Sequence, residues 1–118
     1  MREGISVILN LMASTITPKM REAVNSDSFF ETSCLSGKKG HIVLHHVFKW
    51  AGKQIQETFN IVPLLDSEHD NQPKSVHRCL ETREKVELIC LMRASEEEIE
   101  KYNLGQKKKY LTKKYGGS

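Results

Sequence analysis

Residues 41–48, HIVLHHVF, are the clearest run of strand-formers in the chain. They are β-branched and aromatic, with Ile42 and Leu44 on one face and Val43 and Val47 on the other. The segment KWAGKQIQETF that follows is polar, contains one glycine and reads as a loop. Residues 60–65, NIVPLL, predict a short second strand, which Pro63 would end or confine to a sheet edge. Upstream, Thr17 is placed to cap a short helix with Pro18 at its first position. Residues 25–40 are rich in turn-formers, with Gly37 and Gly40 bracketing two lysines. Downstream, Asp66 and Ser67 are candidate helix caps, but Pro73 breaks any helix there. From Ser75 to about Ala94 apolar residues recur at helical spacing, through Val76, Leu80, Val86, Ile89 and Cys90. Ser95 then caps a second helix through EEEIEKY, and the basic end of the chain predicts a third, fraying helix.

These elements predict a single α+β domain over residues 1–118. The chain has 118 residues, enough for one small core, and its hydrophobic content of 38% keeps that core lean. No apolar run approaches the ~20 residues of a membrane-spanning helix. Ile5–Ala13 is interrupted by Ser6 and Asn10 and preceded by Arg2 and Glu3, so it reads as part of the domain rather than as an export signal. Three cysteines, Cys34, Cys79 and Cys90, form no C-x-x-C pair, which argues against a disulfide framework and a four-cysteine zinc site and fits an intracellular setting.

The net charge of +3 is unevenly spread. Residues 1–94 hold 12 basic and 11 acidic side chains; 95–100 hold four acids; 101–118 hold six lysines and no acid. The tail from about 95 to 118 therefore suits an anionic partner such as nucleic acid, with solvated helix ends as the simpler reading. Lys107, Lys108 and Lys109 are candidate phosphate contacts, with Lys113 and Lys114 beyond them and Tyr110 and Tyr115 interleaved.

All five histidines, His41, His45, His46, His69 and His77, fall between residues 41 and 77. Imidazole is a common neutral metal ligand and a proton acceptor near neutral pH. Adjacent residues of a strand face opposite ways, so His45 and His46 are suited to two different tasks rather than to one ion. His45, His69 and His77 together could leave open positions on a divalent cation; a chance cluster of surface histidines is the alternative.

The order His45-His46, Asn60 fourteen residues on and His69 nine further resembles the HNH nuclease motif. Cys34-Leu-Ser-Gly resembles the C-x-x-G opening of phage-type members, and Asn60-Ile-Val-Pro-Leu their N-l-x-P-L segment. The run from Glu68 to Val76-His77 resembles their closing V-H segment. The likeness covers residues 34–77 well and the C-terminal Y-L-x-x-K-Y-G loosely. It implies a ββα-metal (His-Me finger) core over about 34–80, flanked by helices, in which two antiparallel strands and a helix grip one divalent ion.

By position, the resemblance makes His45 the first metal ligand and His46 the general base. Asn60 braces the loop between the strands, His69 is a second, helix-borne ligand, and His77 is a third ligand or a phosphate contact. It implies DNA as the partner, with magnesium, manganese, nickel or zinc as the ion, and Lys74 and Arg78 holding flanking phosphates. A non-catalytic nucleic-acid-binding module with a structural metal is the alternative. One domain supplies one site, so double-strand cleavage would need a homodimer or a partner in phage packaging or recombination. The chain departs from the family in carrying Asp70 where many members have a second histidine, and in lacking the C-x-x-C knuckles of a structural zinc. Cys34, Cys79 and Cys90 then read as core or surface thiols. Trp50 reads as a core anchor, or as a stacking platform for a base, and His41 as a surface residue.

Overall fold

The computed structural model describes residues 16–116. The apolar stretch at 5–13 and the side chain of Asp70 lie outside what is described. The chain is an α+β domain whose centre is a two-stranded antiparallel sheet. Strand β1, Ile42–His46, pairs with β4, Ile61–Leu65, in the register Leu44↔Pro63, His45↔Val62 and His46↔Ile61. Pro63 is tolerated because β4 is an edge strand. Its carbonyl points away from β1 and accepts the Cys34 N–H at 2.9 Å, so the N–H that proline lacks falls on the same outer side.

Directly paired residues share a face, and this splits the core in two. On one side, Val62 and Leu64 join Val76, Val86, Cys90, Leu91, Leu104 and Leu111. On the other, Ile61 and Leu44 meet Ile16, Met20, Val24 and Phe30. The second side is covered by helix α1, Pro18–Ser26, whose Met20 N–H is capped by Thr17 Oγ1 at 3.2 Å, as expected from the sequence. The first side is covered by helix α2, Leu80–Arg93. This helix begins five residues later than the apolar spacing predicts, because Ser75–Arg78 form turns closed onto the Ser75 carbonyl.

Segment 49–59 is not the plain loop expected. Strands β2, Lys49–Trp50, and β3, Lys53–Gln54, form a miniature hairpin with Lys49 opposite Gln54 and Trp50 opposite Lys53. Ala51 and Gly52 both take positive φ, 55° and 81°, the conformation a two-residue hairpin turn requires. A strand signal two residues long is invisible to periodicity. Trp50 is correspondingly no core anchor: it is 47% exposed.

Asp66 and Ser67 cap no extended helix. Ser67–Asn71 make a single π-helical turn, with no side-chain cap bond at Asp66. Pro73 biases Gln72 away from helical geometry, and the chain turns back. The expected helix-borne position of His69 is therefore one turn only.

Helix α3, Glu96–Lys101, starts with a full capping box: Ser95 Oγ accepts Glu98 N–H at 3.1 Å and Glu98 Oε1 accepts Ser95 N–H at 2.8 Å. Helix α4, Gly105–Tyr115, packs on α2 through buried Leu111. Glu84 of α2, itself buried, accepts from Lys114 Nζ at 2.8 Å and Tyr115 Oη at 2.7 Å, so the end expected to fray is tied down. Arg93, at the end of α2, stacks 3.8 Å over the Phe29 ring and donates to the Thr58 carbonyl and to Asp27. Among the described residues no helix is long and apolar enough to cross a membrane.

Two neighbours on α2 test this packing. Leu91 is fully buried and Met92 is 65% exposed. Leu91→Ala should cost about 2–5 kcal/mol in urea unfolding through the cavity it opens, whereas Met92→Ala should stay within about 0.5 kcal/mol.

Candidate metal centre

Three of the five histidines converge. The imidazole nitrogens of His45, His69 and His77 lie within 4.8 Å of one another. His69 Nε2 and His77 Nε2 are 3.0 Å apart, and the rings meet edge to face with centroids 4.5–5.2 Å apart. His45 comes from β1, on the face it shares with Val62. His69 comes from the π-helical turn and His77 from the turn before α2.

The excursion from 66 to 79 is folded by its own backbone. Val76 N–H donates to the Glu68 carbonyl at 2.7 Å, so the residues one further along each arm, His69 and His77, stand side by side. Glu68 pins the near arm: its Oε1 accepts Leu65 N–H at 2.8 Å and Ser33 Oγ at 2.5 Å. Burial alone would raise the Glu68 pKa, but the hydrogen bonds from Ser33, Leu65 N–H and Ser36 outweigh it and hold the carboxyl below its ordinary range. Arg83 pins the far arm, its Nε donating to the Val76 carbonyl at 3.3 Å. Sequence reasoning misses Ser33, Glu68 and Arg83. For Glu68 the available signal was an acid directly before a candidate ligand histidine.

Asn60 is fully buried at the other end of the sheet. Its Oδ1 accepts Phe48 N–H at 2.6 Å, and its Nδ2 donates to the carbonyls of Phe48 and Ile55 at 3.0 and 3.1 Å. Its own carbonyl accepts Val47 N–H at 3.0 Å. One amide therefore closes the base of the β2–β3 hairpin and fixes the backbone that leaves His46.

His46 stands on the face opposite His45, beside Ile61. Its Nε2 is buried and has no hydrogen-bond partner among the described residues. Burial pushes its pKa down, opposed in part by a hydrogen bond that the ring donates to Gln56. His45 is pushed down further, to about 3, by burial and then by the neighbouring His69, His77 and His46. Both rings are neutral at neutral pH, with nitrogen lone pairs free to accept a cation or a proton.

Both rings also border one cleft of about 810 Å³, which runs along the outer edge of β1 and is lined by residues from α1 and α2, Arg83 and Glu87 among them. His41 is exposed at its rim.

The cationic candidates are placed less uniformly. Lys74 and Arg78 are exposed and flank His77 along the chain. Lys107 pairs with Glu87 at 3.4 Å. Lys108 borders a shallow depression with Glu96 and Glu100, and Lys109 is exposed. Cys90 is buried and Cys34 half-buried, burial raises both thiols, Cys34 to about 12, and neither belongs to the histidine cluster.

The donor set fits a divalent cation. Metal–imidazole bonds of ~2.0–2.1 Å set ligand nitrogens ~3–3.5 Å apart, which the His69–His77 pair already meets. His45 supplies a third nitrogen within 4.8 Å of the pair. Comparison with protein-family models, with curated proteins and with solved structures finds no match for the chain.

Asn60→Ala should destabilise the protein by about 2–4 kcal/mol in urea unfolding, because the buried Phe48 N–H and two carbonyls lose their partner. The depressed His45 also gives a signed pH effect. The unfolded chain takes up a proton near pH 6.5 that the folded chain refuses until about pH 3, so stability falls as pH drops through that window. His45→Gln should flatten this part of a pH–stability curve.

Proposed function

We propose that this protein is a metal-dependent DNA endonuclease built on a ββα-metal core of the HNH type. The observation that carries the reading is the convergence of His45, His69 and His77, with His46 next in the chain on the opposite face of the same strand. The four histidines that the HNH resemblance nominates, from three separated segments, border one cleft, with Asn60 bracing the strand exit outside it.

In this reading His45, His69 and His77 hold one divalent ion. An all-imidazole set favours zinc or nickel over magnesium and manganese, which prefer oxygen. The bound ion would neutralise the scissile phosphate and the leaving oxygen. The remaining chemistry belongs to the chain. β1 has no strand on its outer side among the described residues, so a phosphate lying across that edge is within reach of both of its faces. His45 then serves one face and His46 the other. Neutral His46 is the general base that takes the proton of the attacking water. Asn60 holds the ring's backbone in place from the side away from the cleft. Lys74, Arg78 and Lys107 offer positive charge to neighbouring phosphates, and Arg83 combines a fixed Nε with a place in the cleft wall. A single such site nicks one strand per encounter.

His46→Ala should reduce plasmid nicking by about 10²–10⁴-fold with the fold and metal affinity unchanged. Nicking at the wild-type rate would remove His46 from the mechanism, and an unimpaired fold with no nicking by the wild type under any of the four ions would favour a binding module with a structural metal. His69→Ala should weaken zinc or nickel binding in calorimetric titration by more than the ~10–100-fold typical of losing an outer-shell partner, since a ligand itself is removed. Excess chelator should abolish nicking, and restoring the ion should recover it.

A further inference from the structure

The β2–β3 hairpin is a short exposed finger with the composition Lys-Trp-Ala-Gly-Lys-Gln, two cations and no acid. It begins three residues after His46. Lys49 and Gln54, paired across its base, line the same cleft as the histidines. Trp50 and Lys53, paired with each other, take the opposite face. There the indole meets Tyr102 edge to face at 6.2 Å, and Lys101 lies 5.1 Å from the centre of the Tyr102 ring.

An indole costs least when its rings are buried. This one is 47% exposed, yet it is held from both ends. Tyr102 fixes its orientation, and Tyr102 is in turn fixed by its hydroxyl bond to Glu57 at 2.7 Å. The hairpin below it is set by two positive-φ turn residues and closed at its base by the three Asn60 bonds. An exposed aromatic between lysines, with Glu57 engaged by Tyr102 and Lys101, is a surface for a flat, polyanionic partner.

We infer that the hairpin is a nucleic-acid finger in which Trp50 stacks on an unpaired base while Lys49 and Lys53 contact the phosphates on either side. This deepens the nuclease reading and rests on it: the strand leaving the cleft past Lys49 would turn over the fingertip, and the enzyme would favour sites where a base next to the scissile bond is already unstacked. Asn60 then has a second task, coupling the finger to the strand that carries His45 and His46. The chemical class recognised is a single-stranded nucleotide, DNA or RNA, since every base presents a π-face.

Trp50 is the only tryptophan, so its fluorescence reports the contact directly. The full chain, in chelator so that no strand is cut, is titrated with a fluorophore-free thymidine oligomer, its RNA counterpart and a duplex. Saturable quenching by the single strands, stronger than by the duplex, is expected; agreement between the two single strands identifies the base, and preference for one identifies the sugar. In parallel, anisotropy of a labelled single strand should show Trp50→Ala binding about ten-fold more weakly and Trp50→Phe within about threefold of wild type. Circular dichroism checks that each variant is folded, and Trp50→Phe keeps the test valid should the alanine variant unfold.

Saturable binding without quenching, equal affinity for Trp50→Ala and wild type, or quenching by duplex alone would each overturn the finger. None of these would touch the nuclease reading, which the His46→Ala nicking assay judges separately. Absence of binding to any of the three nucleic acids would likewise overturn the finger.

Discussion

The Asn60 side chain is the constraint from which the geometry of this protein follows. A fully buried amide surrounded by apolar side chains must find partners for both its donor and its acceptor, and here it finds them all in backbone. That requirement fixes where β1 ends, where the hairpin begins and how β4 is entered, because Asn60 immediately precedes Ile61. The register His45↔Val62 follows, and with it the assignment of the two adjacent imidazoles to opposite faces of the sheet. A shift of one residue would exchange them.

The second constraint lies on the other side of the cleft. Residues 66–79 contain little regular structure, and the positions of His69 and His77 come instead from discrete bonds: Glu68 to Leu65 and Ser33, Val76 to Glu68, and Arg83 to Val76. This arm is held by these bonds and by Val76, buried in the core, whereas His45 is held by a strand. A bound cation would add the missing cross-link between the two. Such a division is physically reasonable for a small domain of lean apolar content, in which ligand binding supplies part of the cohesion that burial does not.

Much of this was legible in the sequence. Alternation over 41–48, the Thr17-Pro18 cap, the Ser95 cap and the helical spacing around Val86 and Cys90 all report local preferences that the tertiary structure did not override. The histidine cluster was legible as chemistry before it was visible as geometry. Three features were not legible, for physical reasons. The hairpin strands are too short to show a period, and Trp50 looks like a core residue to any reading based on hydrophobicity alone. The late start of α2 reflects turns around the buried Ser75, a tertiary effect. Lys107 reads as a free cation in the sequence, but Glu87 lies twenty residues earlier on another helix, and only folding shows that the two pair.

The central claim is that three imidazoles from β1 and the 66–79 arm form one metal centre. X-ray absorption spectroscopy of the protein loaded with a single equivalent of zinc measures this most directly. The account predicts a first shell at ~2.0–2.1 Å containing three imidazole nitrogens, recognised by outer-shell scattering from the rings, with oxygen filling the remaining positions. A shell of oxygen alone, one containing sulfur, or one with a single imidazole would contradict it.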